Sequence, residues 1–227
     1  MPIPPSATDV DIVVPIYNEA ACLDELLERL TRACPSARLI FVDNGSTDGT
    51  LELLAERGVD TVKHATNEGY GKSLRDGIAL GTRPIVLTID ADLEYPPESA
   101  PALLAALRHS PVVYGSRFMA GASGMSLPRR LGNRALTVLF NWICRQNLTD
   151  LYTGIKAFRR EVFDGVRFRE SGFDFVVEFA VYAARNCRIA EVAVPYHSRA
   201  SGRSKMRHVP DGLRALAALV KWRWLAI

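Results

Sequence analysis

Short apolar runs alternate with amphipathic stretches through the first half of the chain. Runs rich in β-branched residues predict strands, and the stretches with helical periodicity that follow them predict helices. Such alternation is typical of an α/β fold with a mainly parallel central sheet flanked by helices. The predicted strands span residues 10–15, 38–43, 61–64, 84–90 and 112–115, and the predicted helices span residues 19–33, 50–57, 71–80 and 98–109.

Polar clusters follow three of these strands, at residues 15–19, 43–46 and 90–94. In open sheets of this kind, ligands bind beyond the carboxyl ends of the strands. Because the ends of parallel strands meet at one edge of a sheet, we expect the three clusters to form a single ligand site.

The third cluster carries carboxylates at every second position. Asp90 and Asp92 follow a buried apolar run, and an extended chain places both side chains on the same side. Hard oxygen donors of this kind suit Mg²⁺ or Mn²⁺. Glu94 continues the spacing and is a candidate third ligand.

The second half contains a helical stretch over residues 129–146 and a second one from residue 211 to the end. The first is a basic amphipathic helix suited to a membrane interface, although a helix packed on the core with one solvated face is the alternative. At 100° per residue, one narrow wedge of this helix holds Arg130, Arg134, Thr137, Asn141 and Arg145.

Composition adds a charge asymmetry to this picture. The 227 residues are 48% hydrophobic and 23% charged, which excludes a disordered chain, and the net charge is +3. Residues 1–113 hold 9 Lys and Arg against 17 Asp and Glu, whereas residues 114–227 hold 19 against 8. The halves therefore have charges of −8 and +11, which suggests a metal ion in one and phosphates or an anionic surface in the other; genomic bias with solvated surface is the alternative.

Apolar run lengths, the N-terminal sequence and cysteine spacing indicate the cellular location. No apolar run is long enough to cross a bilayer, and the N-terminus lacks the features of a secretory signal. The four cysteines form no C-x-x-C pair, which fits a reducing compartment. We expect a cytoplasmic protein without a transmembrane domain, and nothing in the sequence indicates a nucleic-acid partner.

A series of motifs in order identifies a resemblance. The sequence resembles family 2 glycosyltransferases over roughly residues 9–207, and within them the dolichol-phosphate or polyprenol-phosphate mannosyl- and glucosyltransferases. This resemblance implies the nucleotide-diphospho-sugar transferase fold, which is GT-A and Rossmann-like. The motifs lie at residues 13–19, 42–50, 67–72, 90–97, 115–117, 150–154, 172–178 and 199–205.

For the donor, the resemblance implies a nucleotide sugar, GDP-mannose or UDP-glucose, bound with Mg²⁺ or Mn²⁺. Asn44 stands where close relatives usually carry Asp, which leaves the base open, and Glu94 stands where they often carry Gln. The implied catalytic residues are Asp92, Arg199 and Lys205. The implied donor-binding residues are Pro15, Tyr17, Glu19, Val42, Asn44, Lys72, Asp90, Ala91, Asp92, Arg199 and Lys205, with Asp90, Asp92 and Glu94 as metal ligands.

For the acceptor, the sequence lacks the Glu-Asp pair with which many hydroxyl-directed relatives supply a base. A phosphate monoester, with a second pKa of about 6, is already mostly dianionic and requires no base. A polyprenyl phosphate, dolichyl or undecaprenyl, is therefore the expected acceptor. Its phosphate is expected to contact Arg117, Arg129, Arg130, Arg134 and Ser204, although each arginine alone fits a solvated basic face.

The sequence thus predicts a single domain that performs inverting transfer of a hexose to polyprenyl phosphate at the cytosolic face of a membrane. Residues 1–117 form its nucleotide-sugar part, 118–210 its acceptor part and 211–227 a C-terminal amphipathic helix. It is expected to be a peripheral protein, with a separate membrane protein as a possible partner. Two alternatives stay open: transfer to a sugar hydroxyl of a cell-wall or polysaccharide acceptor, and a non-catalytic nucleotide-sugar-binding regulatory module.

Overall fold

The computed structural model describes residues 9–121, 124–197 and 208–225. Seven strands form one sheet, and the runs rich in valine and isoleucine form its centre because they are buried on both faces. The strands are β1 (Val10–Ile16), β2 (Arg38–Asp43), β3 (Asp60–Lys63), β4 (Ile85–Thr88), β5 (Val112–Ser116), β6 (Lys156–Arg159) and β7 (Ala190–Ala193).

Helices cover both faces of this sheet. Short 3₁₀ turns at Pro97–Ser99 and Arg160–Phe163 precede a helix and follow a strand, respectively. The helices are α1 (Ala20–Ala33), α2 (Thr50–Glu56), α3 (Tyr70–Leu80), α4 (Ala100–Ala106), α5 (Leu127–Cys144), α6 (Phe175–Asn186) and α7 (His208–Leu225).

The strand order is β3-β2-β1-β4-β6-β5-β7. Strand β6 runs antiparallel to both β4 and β5, and the other pairs are parallel. The expected α/β fold with a mainly parallel sheet is confirmed. Because β6 and β7 come from the second half of the sequence, the expected nucleotide-sugar and acceptor parts share one sheet.

Sequence periodicity missed three elements of the second half. Strands β6 and β7 are four residues each, too short for an alternating pattern to stand out. Helix α6 is buried on nearly every side, so its sequence has no polar face to reveal its period. The predicted C-terminal helix begins at His208 rather than at residue 211.

Helix α5 is present, but its expected wedge is divided between the interior and the surface. Arg130 and Arg134 are exposed, whereas Thr137 is buried. The Thr137 hydroxyl donates to Asn133 Oδ1 and accepts from the backbone N–H of Leu151. The wedge therefore combines exposed arginines with Thr137, which helps to hold the loop after α5.

Within the described ranges, no helix combines the length and the apolar character needed to cross a membrane.

Candidate active site

An open cavity lies at the carboxyl ends of β1, β2 and β4, where the sequence places its three polar clusters. Residues of the loop before β6 and of the segment before α6 complete the wall. The cavity therefore brings together chain segments from both halves of the sequence. Of the site residues expected from the sequence, it is lined by Pro15, Tyr17, Glu19, Asn44, Asp90, Ala91, Asp92, Glu94, Arg117 and Arg129.

Four expected residues do not line this cavity. Val42 is fully buried in β2, on the side that packs against Gly77 of α3. The Lys72 ammonium donates to Asp76 and lies 3.7 Å from the Glu68 carboxylate, one helical turn away on either side. Arg130 and Arg134 are exposed on α5. The expected roles of Arg199, Ser204 and Lys205 fall outside the described residues.

Asp90 lies just beyond β4, and three features of its surroundings set its ionisation. The Tyr70 hydroxyl donates to Asp90 Oδ1 at 2.9 Å. Burial, together with the negative charge of Asp92, raises the pKa of Asp90 to about 7. Lys156 on the neighbouring strand partly offsets this effect, while burial lowers its own pKa to about 8. The carboxyl group is therefore poised between its two protonation states near neutral pH.

Gly154 lets the loop before β6 pass directly against Asp90. A Cβ atom at this position would collide with the Asp90 carboxylate and with the Tyr95 ring. Only glycine fits there, and the loop then continues into β6, which carries Lys156 beside β4. The antiparallel strand β6 thus brings the Lys156 ammonium group close to the acidic cluster.

Asp92 and Glu94 continue the acidic cluster around a tight turn. Leu93 has a φ of +58°, and the backbone N–H of Glu94 donates to Asp92 Oδ1 at 3.1 Å. Glu94 Oε2 lies 3.5 Å from Arg129 Nη2. Within the described ranges, no three His, Cys, Asp or Glu side chains converge as a metal site. Neighbouring carboxylates at one cavity wall are nevertheless a donor set that suits a divalent cation.

A buried ion pair contributes to another part of the cavity wall through Arg117. Arg117 is 2% exposed, and its Nε and Nη2 atoms donate to the fully buried Asp150 carboxylate at 2.6 and 2.8 Å. Asp150 also accepts from the backbone N–H of Arg117 and from Asn133 Nδ2. All four of these contacts are donors, from Arg117 directly after β5 and from Asn133 on α5, so the hydrogen-bonding capacity of the carboxylate is used within the protein.

The Arg117 guanidinium group lies against two tyrosine rings that contact each other edge to face. Its carbon lies 5.6 Å from the Tyr95 ring centroid and 5.4 Å from that of Tyr196. The Arg129 Nη1 atom donates to the Tyr196 hydroxyl at 3.0 Å. Burial raises the pKa of Tyr196 to about 12, so the hydroxyl stays protonated. The result is a rigid wall with two arginines next to the acidic cluster.

A carboxylate cluster beside a basic aromatic wall, at the ends of parallel strands, has the form of a site for a phosphorylated ligand and a cation. Comparison with known families gives the chemistry. Residues 11–167 match the family model described as glycosyl transferase family 2. The chain belongs to glycosyl transferase family 2. The resemblance found in the sequence is confirmed, and with it a sugar-transferring enzyme.

Relatives of known name match most of the family 2 chain. It is 30% identical to the undecaprenyl-phosphate mannosyltransferase of Micrococcus luteus over 93% of this chain and 92% of the relative. It is 27% identical to the dolichol-phosphate mannosyltransferase of Pyrococcus furiosus over 94% of this chain but only 64% of that protein. The chain thus spans less than two thirds of the second relative.

A solved structure supports the fold. Glucosyl-3-phosphoglycerate synthase from Mycobacterium tuberculosis, in complex with Mn²⁺, UDP-glucose and phosphoglyceric acid, superposes with a TM-score of 0.72. The match covers 94% of this chain and 79% of that one at 20% identity. The expected nucleotide-diphospho-sugar transferase fold is therefore confirmed.

Several residues of this family 2 site were not singled out from the sequence. Tyr70 stacks on Phe173 with centroids 5.1 Å apart, and both line the cavity with Arg214 of α7. Tyr70 and Phe173 stand inside motifs of the family resemblance, which offered a signal. Arg214 had none, because its helix shows only weak amphipathicity and reaches the cavity through tertiary packing.

Proposed function

We propose that this glycosyltransferase moves a hexose from a nucleotide diphosphate sugar to a polyprenyl phosphate at the cytosolic surface of a membrane, with inversion at the anomeric carbon. The relatives named for undecaprenyl-phosphate and dolichol-phosphate mannosyl transfer support this acceptor class. The proposal divides the cavity into a donor wall and an acceptor wall.

The donor wall is formed by the ends of β1, β2 and β4. In this proposal Tyr17, Glu19 and Asn44 hold the nucleoside, and Asp90 and Asp92 hold Mg²⁺ or Mn²⁺, with Glu94 as a third candidate ligand. That all six line the cavity supports these roles. The bound ion would neutralise the diphosphate as it departs. Tyr70 holds the Asp90 carboxylate through its hydroxyl, so that oxygen is oriented before any ion binds.

The acceptor wall carries the observation on which the proposal rests. Transfer to a sugar hydroxyl calls for a carboxylate base, and the candidates in the second half are Asp150, Asp174 and Glu178. None of the three lines the cavity among the described residues. Asp150 is saturated by four donors, and Glu178 accepts from the backbone N–H groups of Arg169 and Glu170.

Arginines occupy that wall instead. Arg117 and Arg129 line the cavity and place positive charge beside it, which favours a phosphate. The Nε and Nη2 atoms of Arg117 are held by Asp150 and the Tyr152 carbonyl, so Arg117 contributes through its charge. Their aromatic neighbours fix their position before an acceptor arrives. An acceptor that already carries its negative charge suits this arrangement better than one that must lose a proton.

The surface beside the acceptor wall favours a membrane. Along α5, Leu131, Val138 and Trp142 are exposed, Trp142 by 80%, and Arg130 and Arg134 lie among them. Exposed apolar side chains interleaved with arginines are typical of helices that lie in the interface of an anionic bilayer. A separate membrane protein that covers this face is the other partner consistent with the pattern.

Lipid transfer by the purified chain tests the proposal. We expect label from GDP-mannose or UDP-glucose to enter polyprenyl phosphate in Mg²⁺ or Mn²⁺, and a chelator to abolish this transfer. Asp92→Asn should reduce the rate at least about a hundredfold while the protein stays folded. Full activity in chelator, or in the Asp92 variant, would contradict the donor side of the proposal.

A further inference from the structure

The Asn44 side chain lines the cavity where the nucleoside is proposed to bind, and backbone donors fix its orientation. The backbone N–H of Glu68 donates to Asn44 Oδ1 at 2.8 Å. Asn44 Nδ2 donates to Asn67 Oδ1 at 3.1 Å, and that oxygen also accepts from the backbone N–H of Gly69. Because a backbone N–H only donates, both amide oxygens are identified.

His64 makes a second contact with the same oxygen. Its Nδ1 lies 3.0 Å from Asn44 Oδ1, and its Nε2 lies 2.8 Å from Asp76 Oδ2. Burial is the largest influence on the pKa of Asp76 and raises it, but hydrogen bonds from Lys72 and His64 together hold the pKa below its ordinary value. Asp76 is therefore a carboxylate, and both partners of the His64 ring are acceptors.

The hydrogen bonds that the Asn44 amide already makes determine what it can offer to a ligand. Two N–H groups, from Glu68 and His64, occupy the Asn44 oxygen, which has two lone pairs. One Asn44 N–H goes to Asn67, and its second has no acceptor among the described residues. Toward a ligand in the cavity, Asn44 can therefore only donate. A carboxylate at this position would only accept.

Nucleobases differ in what they offer to such a donor. The pairing edge of uracil presents two carbonyl oxygens on either side of one N–H. That of guanine presents one carbonyl beside N–H groups at two positions, which require acceptors. A fixed amide donor whose oxygen is already occupied matches the uracil edge better than the guanine edge.

We propose that Asn44 donates a hydrogen bond to a carbonyl of uracil, that the sugar donor is a uridine diphosphate sugar, and that His64 and Asp76 are positioning residues that hold the amide in this orientation. This inference rests on the proposed function for the presence of a nucleotide in the cavity. It adds the class of nucleotide and a way in which the chain selects it.

Calorimetric binding of UDP and of GDP in Mg²⁺ tests the selection. The unmodified protein should bind UDP about tenfold more tightly than GDP, as expected for one well-placed hydrogen bond. Asn44→Asp, which replaces the donor with an acceptor, should move this ratio toward GDP by about tenfold. Tighter binding of GDP by the unmodified protein, or an unchanged ratio in Asn44→Asp, would overturn the inference.

A second variant isolates the positioning role. His64→Phe removes the ring N–H and frees the Asn44 oxygen, so the preference for UDP should fall severalfold while both nucleotides still bind. The matched control is His109→Phe, because His109 is exposed and outside the cavity, and its ratio should equal that of the unmodified protein. An unchanged ratio of UDP to GDP affinity in His64→Phe would contradict the positioning role of His64.

A spectroscopic readout does not depend on the folding of any variant. Nitrogen NMR of the unmodified protein should show a proton on His64 Nδ1, the nitrogen that contacts Asn44 Oδ1, and a bare Nδ1 would contradict the donor count. Failure of the two proposals can be told apart. A UDP preference without transfer to polyprenyl phosphate contradicts only the acceptor assignment, whereas binding of neither nucleotide contradicts both.

Discussion

At the scale of single residues, Asp90 links the ionisation of the site to pH. Burial and the charge of Asp92 raise its pKa to about 7, so it gains a proton as the pH falls through neutrality. A divalent cation must displace that proton, so its apparent affinity should fall on the acidic side. We expect Mn²⁺ to bind about tenfold more weakly at pH 6 than at pH 8, measured by calorimetry. Equal affinity at the two pH values would mean that Asp90 is not a ligand.

Asp150 is a structural counter-ion rather than a base, and its removal should be costly. Asp150→Asn leaves the Arg117 guanidinium buried without its carboxylate, which should lower the free energy of unfolding by about 3–5 kcal/mol. Urea denaturation measures this loss. The matched control is Asp24→Asn, because the Asp24–Arg57 pair is exposed and should contribute little. Similar losses for the two variants would contradict the role of Asp150.

At the scale of elements, the exposed apolar side of α5 should govern membrane binding. Trp142→Glu places a charge where we expect the interface, and should weaken binding to anionic phospholipid vesicles about tenfold in a sedimentation assay. Nucleotide binding should be unchanged because Trp142 does not line the active-site cavity. Leu80→Glu on α3, also an exposed apolar position, is the control and should bind vesicles normally. Normal vesicle binding by the Trp142 variant would show that this side of α5 does not bind the membrane.

Sequence patterns predicted the strands and helices of the first half and missed three elements of the second. The strands and helices before Ser116 were predicted within a few residues because each alternates with a clear polar boundary. Helix α6 was missed since burial on most sides removes its period. In α5 the wedge of polar residues was correct as a pattern, yet Thr137 faces inward because the loop after α5 offers it hydrogen-bond partners.

At the scale of the whole molecule, the candidate site was predictable where it follows the parallel strands. Asp90, Asp92 and Asn44 are brought together by sheet topology, which the alternation of elements already indicates. The basic wall was harder to predict from the sequence, because the contact of Arg117 with Asp150 depends on β6 entering the sheet between β4 and β5. Strand β6 runs antiparallel to both neighbours, and no local sequence pattern predicts its position.

The same insertion gives the molecule its two-sided chemistry. The acidic first half supplies the carboxylates at the ends of β1 and β4. The basic second half supplies Lys156 near Asp90 and the arginines beside the acidic cluster. Some of the charges behind the values of −8 and +11 therefore line one cavity. Others lie on the exposed arginines of α5.

The central claim is that the acceptor must bring its own negative charge. The most direct test offers the purified chain, with its nucleotide sugar and Mn²⁺, two lipids of equal chain length: a polyprenyl phosphate and the corresponding neutral polyprenol. Labelled sugar should enter the phosphate and leave the alcohol essentially unmodified, because none of the candidate bases Asp150, Asp174 and Glu178 lines the cavity in the described part of the chain. Transfer to the alcohol, or to a soluble sugar hydroxyl, at a comparable rate would contradict the account.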